Sequence, residues 1–381
     1  MLVIFWLCLA LQIIAFSLIL ILLIIGSLIM FTTIFFAIVI SFVVCLIVAL
    51  LMIGVMIWLF APGKKRIEVS ESERYFINPA DGTRHPFPSM LNKDDLINTP
   101  IYLSLVVPAY NEQKRLPVML DEALEYLENR SNDNFKPLRW SPPRGDKFTY
   151  EVIIVDDGSK DSTTSVGLNY SRKYGIDKVR VLTLAQNRGK GGAVRMGVLA
   201  SRGKLILFAD ADGATKFSDI EKLENYMYSS TEDFDTMSMS ISIGSRAHME
   251  EQAIATRSIF RTILMYGFHL IVWLFTVRTV RDTQCGFKMF GRSIAYLLFT
   301  SIHIERWAFD VELLYLAERI GCNIGENAVE WTEIDGSKIT PVISWLQMGH
   351  NVITIPFMYK LGLWKYPAID KTQLSEEYKD K

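Results

Sequence analysis

The sequence predicts an α/β fold: a mostly parallel sheet with an N-terminal transmembrane anchor and C-terminal interfacial helices. Three observations carry that expectation. Apolar runs rich in β-branched residues recur beyond residue 100, namely IYLSLVV at 101–107, YEVIIV at 150–155, VRVLTL at 179–184 and KLILFA at 204–209. Near-continuous apolar strands belong to sheets covered on both faces. Helix-compatible segments separate them, RLPVMLDEALEYLENR at 115–130 and DSTTSVGLNYSRKYG at 161–175 being the clearest, and strands alternating with helices build parallel crossover units. Finally, no charged side chain occurs from Leu2 to Gly63, so the 40 basic and 41 acidic residues all follow, from Lys64 onward.

Residues 1–63 therefore read as a membrane anchor. One span needs ~20 apolar residues, which leaves length for one or two, with a bend near Gly26-Ser27 or Thr32-Thr33 if there are two. The start MLVIFWLCLALQ lacks the basic region of a cleaved signal peptide, so the anchor is expected to be retained. Lys64, Lys65 and Arg66 directly after Trp58-Leu59-Phe60 place the hydrophilic remainder in the cytosol by the positive-inside rule. With two spans the N-terminus is cytosolic too; with one it is lumenal. Residues 64–100, with Pro79, Gly82, Pro86, Pro88 and Pro100, read as an irregular approach segment to a domain over 101–338. SNDNFKPLRWSPPRGDKF, 131–148, reads as an inserted surface loop, and 339–381 as a membrane-associated tail. The uncharged run TILMYGFHLIVWLFTV, 262–277, is too short for a span and is flanked by arginines. With PVISWLQMGHNVITIPFMYKLGLW, 341–364, it is expected to lie on the membrane surface.

Composition excludes several classes. The four cysteines, Cys8, Cys45, Cys285 and Cys322, form no CxxC pair, so neither a disulfide framework nor a zinc site is indicated. The five histidines are scattered singly, and a net charge of -1 gives no sign of a nucleic-acid partner.

Ligands of parallel sheets bind beyond the carboxyl ends of the strands, and polar sets follow each of the four strands. The first leads to PAYNE, with Pro108, Tyr110, Asn111 and Glu112; the second to DDGSKDS, with Asp156, Asp157 and Ser159. The third leads to QNRGKGGAVRMG and the fourth to ADADG. Asp210 and Asp212 share one face if the extended conformation persists, and two like charges on one patch call for a hard cation such as Mg2+ or Mn2+. The glycine loop has no Walker spacing, and Val194 stands where a dinucleotide fingerprint needs its third glycine. A basic turn remains, with Arg188 and Lys190 available to a diphosphate and backbone N–H groups before the helix from Gly192.

VVPAYNE, VDDGS, NRGKGGA, DADG and IGSR, in this order, resemble the nucleotide-sugar domain of glycosyltransferase family 2, which has the GT-A fold. The resemblance implies that Glu112 and Asp157 contact the nucleoside, with Asp156 beside them and Pro108 and Tyr110 in the donor-binding set, and that Asp210 and Asp212 hold the metal. RDTQCGFKMF, ERWAFDVELLYLA and VEWTEIDGSK look like the branch of that family that glucosylates dolichyl phosphate at the endoplasmic reticulum for N-glycan assembly. Polymerising relatives carry Gln-x-x-Arg-Trp; here Arg306-Trp307 has His303 at the glutamine position, and no later spans could form a polysaccharide channel, which disfavours a processive synthase.

That resemblance implies UDP-glucose as donor and dolichyl phosphate as acceptor. Charge building on the departing β-phosphate can be met by the metal on Asp212 and by Arg188 or Lys190. A phosphate monoester has a second pKa of ~6 and arrives largely dianionic, so no general base is needed, and Asp310 and Glu312 of FDVE are expected to orient the acceptor or sugar hydroxyls. The dianion instead needs cations: Arg246 of IGSR, Arg257 and Arg261 of RSIFR, and further Arg281 and Lys338. Asp212, Arg246 and Asp310 form the expected catalytic set. Two alternatives stay open: the same reaction with GDP-mannose, and a membrane-anchored nucleotide-sugar-binding protein without turnover.

Overall fold

The uncharged N-terminal segment becomes one helix, α1 (Leu2–Phe60), unbroken over 59 residues. Gly26-Ser27 and Thr32-Thr33 do not interrupt it. Ser27, Thr32 and Thr33 donate their hydroxyls to the carbonyls of Ile24, Ile29 and Met30 at 2.9, 2.8 and 2.9 Å, so the helix itself satisfies them. The helix is long and apolar enough to cross a membrane; at 1.5 Å per residue it reaches about 88 Å, well beyond a hydrocarbon core of ~30 Å. The computed structural model describes residues 2–60, 67–132, 148–229, 238–249, 259–334 and 343–367, and it divides into two units, Met1–Ala61 and Pro62–Lys381.

In the second unit the segment before residue 100 is more ordered than its prolines suggest. Strands β1 (Tyr75–Ile77) and β2 (Arg84–Pro86) pair antiparallel, and a short helix α2 (Lys93–Ile97) follows. Buried Arg292 donates to the carbonyls of Asp95 and Leu96 at 2.6 and 2.7 Å, which ties the segment to the domain behind it.

The main sheet has seven strands in the order β5-β4-β3-β6-β8-β7-β9. They are β3 (Ile101–Ala109), β4 (Tyr150–Asp156), β5 (Val179–Thr183), β6 (Gly203–Ala209), β7 (Ser240–Ser245), β8 (Phe287–Gly291) and β9 (Asn323–Ala328). The four apolar runs of the sequence are β3 to β6, all parallel. Strand β8 runs antiparallel between β6 and β7, and β9 returns parallel to β7. The arrangement is the mostly parallel GT-A architecture.

Both faces are covered, which is why these strands are apolar throughout. On one face Leu103, Leu105 and Val107 pack with Leu116, Leu120, Leu124 and Leu127 of α3 (Leu116–Ser131); burying each such side chain contributes about 1.5–3 kcal/mol. Helix α4 (Thr163–Tyr174) joins the same core through its half-buried side chains. On the other face α5 (Lys190–Leu199) lies close enough that a Cβ on Gly197 would meet Val106 Cγ1 at 2.4 Å. Among the described residues, helices α6 (Ile220–Ser229), α7 (Ile259–Phe275), α8 (Arg292–Ser301), α9 (Phe309–Arg319) and α10 (Ile343–Lys360) follow.

Helices α7 and α10 pack against each other. Tyr266, Leu270, Trp273 and Leu274 stay exposed along one face of α7, and Phe357, Leu361 and Leu363 at the end of α10. Residues 133–147 of the expected surface loop, together with Arg257 and Lys338, lie outside the described residues, as does the side chain of Arg261.

Strand register brings one edge together. Ala109 pairs with Asp156, so β3 and β4 end level. Ala209 at the end of β6 pairs with Phe287 at the start of antiparallel β8, which delivers Gln284–Gly286 to the same edge.

Candidate active site

A cleft of about 660 Å³ opens at that edge. Pro108, Tyr110 and Glu112 line its first wall. Asn111 adopts φ 53, a left-handed conformation uncommon outside glycine. Its N–H donates to Ser159 Oγ at 2.9 Å while its Oδ1 accepts from Lys160 N–H at 2.8 Å, so the loops after β3 and β4 hold each other. Glu112 takes a bidentate pair from Arg115 at 2.6 and 2.7 Å.

Asp156 and Asp157 divide their tasks. Asp156 is buried, caps its own turn through Ser159 N–H at 2.9 Å and accepts the Thr164 hydroxyl; it does not line the cleft. Asp157 lines it, and accepts from Arg188 N–H at 2.7 Å, Gly189 N–H at 2.9 Å and Asn187 Nδ2 at 3.0 Å. Burial and the neighbouring Asp156 push its carboxyl up to about 6 despite those donors.

The glycine loop serves packing as well as chemistry. Gly189 sits at φ +83, and an added Cβ would lie 2.9 Å from Glu305 O; on Gly191 a Cβ would meet Phe309 Cβ at 2.6 Å. Gly192 N–H donates to Glu305 O at 2.9 Å, so this helix-start N–H is already used. Arg188 departs from expectation. Its guanidinium turns away from the cleft to Glu73 at 2.6 Å and to Glu68 O at 2.7 Å, fastening the approach segment to the loop. Lys190 alone of the two basic groups faces the cleft.

Lys190 Nζ lies 2.7 and 3.0 Å from the two oxygens of Asp210. Asp212 accepts Ala214 N–H at 3.0 Å, and its carboxyl is raised by burial and then by Asp210. Gly286 makes room for this pair: a Cβ there would fall 2.0 Å from Asp210 Oδ2. Among the described residues no group of three or more His, Cys, Asp or Glu could hold a metal. Two crowded carboxylates still fit Mg2+ or Mn2+, since such ions take one or two protein carboxylates and complete their shell with phosphate oxygens and water.

Arg246 lines the far wall but is not free for a ligand dianion. It forms two bonds to Asp282 at 2.8 and 2.9 Å, and stands 5.4 Å from the ring centre of Trp331. Burial raises the Asp282 carboxyl, but Arg246 outweighs it and the net shift is down. Asp310 also lines the cleft, held at 2.6 Å by fully buried Lys288; burial raises its carboxyl while Lys288 and Lys190 oppose that rise.

Two expected groups lie elsewhere. Glu312 neither faces the cleft nor lies on the helix surface. It is buried and accepts the N–H groups of His303 and Ile304 at 2.9 and 2.8 Å and the Tyr359 hydroxyl at 2.8 Å. Two residues apart on α9, Asp310 and Glu312 point different ways. Arg281 directs its N–H to Glu326 at 2.9 Å and does not line the cleft. Arg115, Gln284, Gly286 and Lys288 were not singled out from the sequence; their only signal was membership of the motifs at 281–290 and beside PAYNE.

A mostly parallel sheet with paired aspartates at its carboxyl edge is the arrangement expected of a glycosyltransferase of the GT-A class. The family model for glycosyl transferase family 2 matches residues 104–298. The chain is 54% identical over 307 residues to dolichyl-phosphate beta-glucosyltransferase of Drosophila melanogaster, covering 81% of this chain and 89% of that one. It is 51% identical over 314 residues to the Homo sapiens protein of the same name, covering 82% and 91%. Among solved structures, glucosyl-3-phosphoglycerate synthase from Mycobacterium tuberculosis in complex with Mn2+, UDP-glucose and phosphoglyceric acid gives a TM-score of 0.46 at 16% identity, covering 70% of this chain and 82% of that one. The chain belongs to glycosyl transferase family 2 and, within it, to the dolichyl-phosphate beta-glucosyltransferases.

Proposed function

We propose that this chain transfers glucose from UDP-glucose to dolichyl phosphate with inversion, giving dolichyl β-D-glucosyl phosphate and UDP. The observation that carries the reading is 54% identity along 89% of a relative bearing that enzyme's name, and the charged cleft is chemically suited to it. An acceptor phosphate oxygen attacks the anomeric carbon as the bond to the β-phosphate oxygen breaks, and the bonding pair leaves with UDP. Asp210 and Asp212 would hold a divalent cation, which would supply Lewis-acid stabilisation to the departing diphosphate. Lys190 adds a fixed positive charge at the same place. Glu112 and Asp157 face the nucleoside side of the cleft, with Pro108 and Tyr110 beside them. Asp310, held at 2.6 Å by Lys288, is placed to accept sugar hydroxyls. No side chain is needed as a base, because the acceptor's second pKa of ~6 leaves it mostly dianionic at neutral pH.

Residues 1–63 form the anchor in an endoplasmic reticulum membrane, and Lys64, Lys65 and Arg66 set the catalytic domain, 101–338, in the cytosol. The exposed apolar faces of α7 and α10 rest on the membrane, so that soluble donor and lipid acceptor meet at its surface. The test incubates membranes carrying the protein with dolichyl phosphate and Mg2+, offering labelled UDP-glucose and GDP-mannose separately. Glucose label in lipid that disappears with EDTA is expected. Mannose label would overturn the donor, and donor binding with no lipid product would favour the binding-only alternative.

A further inference from the structure

Among the described residues four cationic side chains line the cleft: Arg115, Lys190, Arg246 and Arg306. Three already have a carboxylate. Arg115 is held by Glu112 at 2.6 Å, Lys190 by Asp210 at 2.7 Å and Arg246 by Asp282 at 2.8 Å. Among the described residues Arg306 makes no ion pair and no side-chain hydrogen bond, and it is exposed at the cleft. A dianionic acceptor is attracted by net positive charge, and a guanidinium already forked onto a carboxylate offers little of it.

We propose that Arg306 binds the phosphate of the acceptor, a reading that rests on the lipid phosphate acceptor proposed above. Its placement fits that task. A Cβ on Gly189 would lie 3.0 Å from Arg306 Cγ, so the arginine stem packs on the loop that carries Lys190. Arg306 and Lys190 thus line one cleft from adjoining segments, where the two phosphates have to meet. The turn that presents it is held by several contacts. Glu312 takes the N–H groups of His303 and Ile304, and the His303 ring stacks on Trp364 with centroids 4.1 Å apart and planes 1° from parallel. On the cleft side Glu305 O accepts Gly192 N–H at 2.9 Å. Arg306 is therefore carried on a turn braced from both sides, with its charge left for a ligand.

The test compares the full-length wild type with Arg306→Met and Arg306→Lys, measuring KM for dolichyl phosphate in transfer from UDP-glucose and, separately, Kd for UDP with Mn2+ by calorimetry. In Arg306→Met the KM for dolichyl phosphate is expected to rise at least tenfold while the Kd for UDP moves less than twofold, and Arg306→Lys recovers part of the loss. A rise in the UDP Kd with an unchanged lipid KM would overturn the assignment by moving Arg306 to the donor. An active Arg306→Met with neither constant shifted would overturn it outright. A wild type that transfers nothing to dolichyl phosphate would refute the functional reading, and the proposal with it. Arg306 is exposed, so the variants test a ligand contact and not the core.

Discussion

Gly286→Ala is a direct probe of how Asp210 is seated. The new Cβ would lie 2.0 Å from Oδ2, 2.3 Å from Cγ and 2.6 Å from Oδ1 of Asp210. Ordinary contact requires about 3.5 Å, so the carboxylate has to retreat by about 1.5 Å. The backbone gives little, since Asp210 N–H donates to Gly286 O at 3.0 Å and the Ala209–Phe287 register continues the ladder. The side chain moves instead, off Lys190. That pair is partly solvated, with side-chain exposures of 35% for Asp210 and 17% for Lys190, so its loss is worth only ~0–1 kcal/mol. Function responds more strongly, because a displacement of about 1 Å at a reacting centre can lower the rate about 10²-fold. The expected result is a kcat/KM for glucose transfer to dolichyl phosphate lowered about 10²-fold with a thermal midpoint changed by about 3 °C or less. Retention of more than about half the wild-type turnover would refute the reasoning, since the assay's scale is the 10²-fold loss. So would a collapse of the fold, which would show that the backbone and not the carboxylate absorbs the clash.

Asp212→Asn is expected to leave the unfolding midpoint unchanged and to lower Mn2+ affinity and turnover together, by about 10²-fold in rate; full activity would remove the metal assignment. Glu312→Gln places an amide donor among the N–H groups and hydroxyl that the carboxylate accepts. It should reduce stability by about 3 kcal/mol, read as a shift in denaturant midpoint; an unchanged midpoint would deny the brace its strength. Asp157, raised to about 6, gives a pH signature of two opposite signs. Its folded pKa exceeds the unfolded ~3.9, so its contribution to global stability is full below the unfolded value and declines as pH rises through about 6. The N–H groups of Arg188 and Gly189 need the ionised form, so UDP-glucose affinity should weaken as pH falls through the same window and the inflection should vanish in Asp157→Asn. A flat Kd from pH 5 to 7.5 would exclude that role.

The readable parts of this chain are those fixed by local pattern. Buried strands announce themselves by unbroken apolar runs, and β3 to β6 fall within two residues of the segments read from the sequence. The paired aspartates at the end of β6 follow from period-two alternation and the strand-end rule. Long-range partners leave no such mark. Arg188 looks like a phosphate ligand because it adjoins Lys190, yet its anion is Glu73, more than a hundred residues away in sequence. Arg246 gains Asp282 by the same route. The antiparallel β8 has no distinctive pattern, being buried on both faces as the parallel strand β4 is. Helix α1 runs on through Gly26-Ser27 and Thr32-Thr33 because glycine and threonine weaken a helix only by fractions of a kcal/mol to ~1 kcal/mol each, and the hydroxyls find carbonyls one turn back. Glu312 departs from expectation for a simpler reason: FDVE reads as one functional set, although helix geometry turns its two acids apart.

The pairing pattern of the cleft follows from where its charges sit. Removing a charge from water without a partner carries a penalty of several kcal/mol, so the enclosed cations need protein anions before any substrate arrives. Lys288 under Asp310 is the extreme case, with both groups almost fully buried. Such pairs fix geometry and field in advance, which is what transition-state stabilisation at a diphosphate demands, but they hold little charge in reserve. Reserve charge is tolerable only where solvent can stabilise it. Arg306 occupies such a position, exposed on a braced turn at the cleft. On this account the enclosed pairs orient and stabilise the departing group, while among the described cations of the cleft it is Arg306 that attracts the second phosphate.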